Sequence, residues 1–134
     1  MGILYVARSA KLSRWASDVG FGKHLYKLGV SEEDPKALAA AGWAGETDWT
    51  IVKKESVEDL DEEEAIARVG RKERLIEPRL YPKLKGAGGV FRVSAAHVEN
   101  YVLVARALAG ESDRTELKLK PADFALYLMR HAKR

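Results

Sequence analysis

Two stretches decide the reading of this chain: Ile3-Leu4-Tyr5-Val6-Ala7, and after it His24-Leu25-Tyr26-Lys27-Leu28-Gly29-Val30. The first is a short apolar run rich in strand formers, which predicts a buried strand. The second alternates with period two, which predicts another, and Ser31 at its end is placed to cap the element that follows. Between them Leu12, Trp15, Ala16 and Val19 fall at helical spacing, and Gly20 and Gly22 stop the segment. After them Pro35 opens a helix through Ala41 that Gly42 and Gly45 close, and Trp49-Thr50-Ile51-Val52-Lys53-Lys54 is aromatic and β-branched enough for a third strand.

Farther along, Asp59 or Asp61 can cap a helix carrying Ala65, Ile66 and Val69, while Pro78 and Pro82 make Ile76 to Lys85 an irregular connection. Gly86-Ala87-Gly88-Gly89 delivers a fourth strand, Val90-Phe91-Arg92-Val93, and reads as a turn, because no phosphate loop or dinucleotide fingerprint accompanies it. Ser94 caps a helix ended by Gly110, whose stripe of Val98, Val102, Ala105 and Ala109, flanked by Tyr101, Val104 and Leu108, is expected to face the core. Thr115 to Leu119 alternates like a strand, and Pro121 opens a terminal helix with Ala125, Leu128, Met129 and Ala132 in register. The expected fold is α+β: a small mixed or antiparallel sheet of three to five short strands packed with helices, two of them C-terminal.

The chain has 134 residues, 46 % of them hydrophobic, which suits one domain over residues 1–134. It has no cysteine, so disulfides, thiolate catalysis and sulfur-ligated zinc are excluded. No apolar run is long enough to cross a bilayer, and Met1 leads into a strand and not into a secretory signal, so a cytoplasmic location without membrane attachment is expected. His24, His97 and His131 lie far apart without the i, i+4 pairing that puts two imidazoles on one metal, and no G-x-S-x-G elbow supports a serine hydrolase.

A formal charge of +3 decides little, but its distribution is uneven. Glu55 to Glu64 holds seven acids and no base, a composition that also suits a helix entrance. Arg71 to Arg92 holds seven bases, Arg71, Lys72, Arg74, Arg79, Lys83, Lys85 and Arg92, against Glu73 and Glu77. Such a cluster neutralises phosphates or forms a solvated face. Trp15, Trp43 and Trp49 are either core residues or stacking platforms for bases, and Trp15 is the one placed with the basic residues as a nucleic-acid contact.

The strand motifs Ile3-Leu4-Tyr5 and Lys27-Leu28-Gly29, followed by helix, the Trp49-to-Lys54 strand, the acidic helix and Val90-Phe91-Arg92-Val93, resemble the GIY-YIG nuclease superfamily, in particular its phage-type branch whose second motif reads Lys-Ile-Gly. The match spans residues 1–104, with 105–134 as an extension. The resemblance implies a small sheet flanked by helices and hydrolysis of a nucleic-acid phosphodiester with Mg²⁺ or Mn²⁺. It makes Tyr5 the tyrosine beside the attacking water, puts Lys27 in the second tyrosine's place, and makes Glu64, or its neighbour Glu63, the metal-binding glutamate. The family's helix arginine is missing, since no Arg lies between Arg14 and Arg68; Lys36 occupies that region, and lysine cannot reproduce a bidentate phosphate contact.

Three functions therefore stand: a nucleic-acid-binding domain that has lost catalysis, an active metal-dependent nuclease acting on DNA or RNA, and a protein-interaction or homodimerisation module. Either a monomer or a homodimer is compatible with the sequence.

Overall fold

A computed structural model describes residues 2–84, 87–110 and 118–133. The strands are β1 (Gly2–Arg8), β2 (Leu25–Ser31), β3 (Thr50–Val57), β4 (Arg74–Leu75) and β5 (Val90–Arg92). The helices are α1 (Ala10–Asp18), α2 (Pro35–Ala41), α3 (Glu62–Val69), α4 (Ala95–Leu108) and α5 (Pro121–Ala132), with a 3₁₀ turn at Pro82–Leu84. All strand pairs are antiparallel, in the order β3-β1-β2-β5-β4, which makes the fold α+β. Among the described residues no helix is long and apolar enough to cross a membrane.

Period-two alternation sends side chains to both faces of the sheet, and both are covered. Leu4, Val6, Tyr26, Leu28 and Phe91 pack with α3, with the start of α4 and with Phe124, Leu128 and Met129 of α5. Tyr5, Ala7, Leu25 and Val90 pack on the other face with Leu12 and Ala16 of α1, Ala39 of α2, Trp49 and Leu84. The Ser9 side chain caps α1 by accepting from Leu12 N–H, and its hydroxyl donates to Asp48, fastening the helix start to the loop before β3.

Four expectations change. Ser31 does not cap α2: Asp34 does, accepting from Lys36 N–H at 3.0 Å, while Ser31 turns back on Glu33. β4 is an additional strand, formed where Ile76 N–H donates to Val90 C=O and Arg74–Leu75 line up against β5. The stripe of α4 is core only in its first half: Val98 is buried and Tyr101 and Val102 pack partly buried against the core, while Ala105 and Ala109 are exposed, as are Val104 and Leu108 at 49 % and 84 %. Of the expected strand at Thr115 to Leu119, residues 115–117 lie outside the described residues, and Lys118 and Leu119 are not in a strand.

Candidate functional site

The two strand motifs meet where the register places Tyr5 opposite Gly29. The Tyr5 ring lies across the space that a side chain at Gly29 would fill: a Cβ there would stand 2.6 Å from the tyrosine Cζ and 2.9 Å from Glu62 Oε1. Gly29 is thus required by close packing, which brings a phenol and a carboxylate to one spot. Lys27, two residues earlier on the same face, is 5 % exposed, and its Nζ donates to Gly88 C=O at 2.8 Å. That ammonium lies 4.9 Å from the Trp43 ring centroid and 5.8 Å from that of Tyr5, and the two rings stack with centroids 5.8 Å apart. Trp43 is held in turn by Trp49, whose Nε1–H donates to its carbonyl.

Burial, then the charge of Glu62, pushes the Tyr5 phenol up to about 12. Burial pulls the Lys27 ammonium below its ordinary range, and Glu62 opposes that shift. The loop before β5 explains the enclosure: Gly89 accepts from Leu28 N–H at 2.8 Å and has φ +78°, and any Cβ there would collide with the Leu28 carbonyl oxygen. Gly89 therefore lets the chain press against β2.

Of the three acids that open α3, Glu62 reaches this cluster. Its Oε1 accepts from Val30 N–H at 2.9 Å, on the stretch of β2 that β5 leaves unpaired. Glu63 is exposed, and Glu64 pairs with Arg68 one turn along at 2.6 Å, so neither joins Tyr5 and Lys27. Lys36 is exposed on α2 and, among the described residues, has no hydrogen bond or ion pair with the cluster through its side chain.

The basic segment divides into paired and unpaired residues. Lys83 bonds Glu46 at 2.7 Å, Arg79 is exposed beyond β4, and Lys85 lies outside the described residues. Trp15 is half-buried, edge-on to Phe21 and Tyr81 with centroids 5.9 and 6.4 Å away, so its ring serves an aromatic cluster. Arg71 and Lys72 are exposed beyond α3. Arg74 and Arg92 are direct cross-strand neighbours on β4 and β5, both exposed, with Arg92 5.9 Å from the Phe21 ring centroid. Like charges directly opposite each other in a sheet are destabilising.

These two arginines, Lys23 and Lys72 edge a cleft of about 500 Å³ at the end of the sheet where β2 begins and β5 ends. None of the four has an ion pair among the described residues. His24 lines the same cleft, and burial together with the charges of Lys23 and Arg8 lowers its pKa.

Glu73 and His97 also line the cleft. The Glu73 side chain is 2 % exposed, and both its oxygens are engaged: Oε1 accepts from Ser94 N–H at 2.7 Å, while Oε2 meets His97 Nδ1 at 2.7 Å and the Tyr127 hydroxyl at 2.6 Å. Burial and the neighbouring carboxylate push the Tyr127 phenol well above its ordinary range, so it remains a donor. Neither Glu62 nor this network stood out in the sequence. The available signal was Glu73 as a lone acid between Lys72 and Arg74, in a position whose alternation points inward.

No family model, curated protein or solved structure matches the chain.

Proposed function

We propose that this protein binds nucleic acid through the cleft edged by Lys23, Lys72, Arg74 and Arg92 without cleaving the bound strand. The observation that carries the reading is the Arg74–Arg92 pair, two exposed cations set opposite each other on the edge strand β4 and its neighbour β5, with no carboxylate partner among the described residues. Backbone phosphates offset such repulsion, and each contact releases counterions. The loss of cleavage rests on the enclosure of the strand motifs. Tyr5 is 3 % and Lys27 5 % exposed beneath Trp43, which leaves little of either to meet a phosphodiester.

Glu62 brings the cluster one carboxylate, whose Oε1 already receives Val30 N–H, so a Mg²⁺ or Mn²⁺ ion held there would take its other oxygens from water and substrate phosphate. Among the described residues no three His, Asp or Glu side chains gather to hold an ion.

A second reading, the active nuclease, is favoured by the convergence of Tyr5, Lys27 and Glu62, with Glu62 in place of Glu63 or Glu64 as its carboxylate. Incubating labelled DNA and RNA with the protein and Mg²⁺ or Mn²⁺, then running binding and denaturing gels, separates the two. Retarded but intact strands are expected. Cleavage that disappears in Glu62→Gln would replace the binding reading with the nuclease.

A further inference from the structure

We infer that the cleft beside the β4–β5 edge is a seat for one phosphoryl group, gripped by Arg74 and Arg92 and contacted by His97, whose imidazole is held in place by the buried Glu73. This deepens the nucleic-acid reading and rests on it for the source of the phosphate.

The geometry makes His97 a directed group. Its side chain is 57 % exposed, yet one ring nitrogen is fixed: Nδ1 lies 2.7 Å from a carboxylate oxygen that also accepts from Tyr127. A carboxylate accepts hydrogen bonds, so Nδ1 is the donor toward Glu73, and Nε2 is left as the atom that meets a ligand, donating to a phosphate oxygen when the ring carries both protons. A buried carboxylate that orients an imidazole is the arrangement by which proteins aim a histidine at a bound group. Here it is braced a third time, by Ser94 N–H, so the ring is positioned from the turn before β4, from the start of α4 and from α5.

The surroundings name the ligand. Around His97 the cleft presents Lys23, Lys72, Arg74 and Arg92, and its one carboxylate among the described residues, Glu73, is committed to internal donors. Guanidinium groups match phosphate oxygens in a fork-like geometry that a solvated charged face does not need. An acidic peptide would meet the same cations but gains nothing particular from the imidazole that Glu73 orients in the cleft's lining. The roughly 500 Å³ available accommodates a phosphoryl group with part of the molecule that carries it.

Inorganic phosphate is the first probe, followed by ³¹P NMR and by ¹H–¹⁵N spectra of the histidine ring nitrogens. Phosphate is expected to move the His97 ring signals and leave those of His131 in place. Affinity is expected to fall about tenfold or more in His97→Ala and in Arg74→Ala/Arg92→Ala, in keeping with the loss of charge-assisted hydrogen bonds. Glu73→Gln keeps the shape and is expected to weaken phosphate binding while releasing the His97 ring; a thermal melt checks that it folds, and the exposed His97→Ala carries the test if it does not.

Two oligonucleotides of one sequence, with and without a 5′-phosphate, identify the source. Tighter binding of the phosphorylated strand assigns a terminal phosphate, and equal binding that weakens in the same variants assigns an internal phosphodiester. Phosphate binding with neither strand bound keeps the seat, makes a small phosphorylated molecule its ligand, and defeats the nucleic-acid reading. The inference itself is overturned if phosphate leaves the His97 signals unmoved, or if both variants bind phosphate and oligonucleotides like the unaltered protein.

Discussion

At Gly29 a single methyl group would report how the two strand motifs are joined. The added carbon would overlap the Tyr5 ring and approach Glu62 Oε1, and neither can retreat freely because Tyr5 is stacked on Trp43 and Glu62 is bonded to Val30. Gly29→Ala is therefore expected to cost about 1–3 kcal/mol, the usual range for overpacking, read from the urea midpoint. Tyr5 itself sets a pH dependence. Its phenol holds its proton to about pH 12 in the folded chain, against an ordinary value of 10.0. Between those values the unfolded chain releases the proton first, so stability falls as pH rises, by about 2–3 kcal/mol once both states are ionised. Tyr5→Phe is expected to flatten the alkaline decline in urea melts relative to the unaltered protein, leaving the part due to Tyr26 and Tyr127. Lys27 acts with the opposite sign. Its folded-state pKa is lowered, so the unfolded chain binds the proton more readily and stability from this group rises with pH up to about 10.5.

Tyr5 and Lys27 were named together through the motif resemblance, and the antiparallel register, which sets Tyr5 opposite Gly29 and Ala7 opposite Lys27, is what puts them on one face. Which acid joins them was not. Glu62, Glu63 and Glu64 are consecutive, successive helical residues point about 100° apart, and only the packed orientation of α3 selects Glu62.

Among the elements, α4 and α5 show what periodicity does and does not say. Both carry apolar residues at helical spacing, and the sequence assigned the α4 stripe to the core while putting the α5 residues in register. α5 meets it: Ala125, Leu128, Met129 and Ala132 are all buried. α4 meets it through Val98, with Tyr101 and Val102 partly buried, and its later turns leave the sheet behind. An apolar stripe states what a helix can bury, whereas the length of the surface beneath it decides how much is buried. Leu128→Ala is accordingly expected to cost about 2–5 kcal/mol, and Leu108→Lys to stay within about 0.5 kcal/mol, both by urea unfolding. β4 escaped notice for the reverse reason: two residues are too few to show alternation, and the pairing with β5 is what makes them a strand. It is also the element that brings Arg74 beside Arg92, so the candidate interface could not be read before the sheet was closed.

For the whole molecule, the formal charge of +3 hides a concentrated field. Lys23, Lys72, Arg74 and Arg92 come from the loop before β2, the turn after α3 and the edge of the sheet, and they converge on one cleft. The sequence announced a basic segment, but Lys23 lies outside it, and Lys83 within it is spent on Glu46. The measurement that bears most directly on the binding reading is fluorescence anisotropy of labelled duplex DNA across a salt series. Three phosphate contacts on B-DNA, one shared by Arg74 and Arg92 and one each from Lys23 and Lys72, are expected to give a slope of log K against log salt of about −2.7, and Arg74→Ala/Arg92→Ala to reduce its magnitude by about 0.9. A duplex that fails to bind at low salt, or a slope untouched by removing both arginines, would contradict the account.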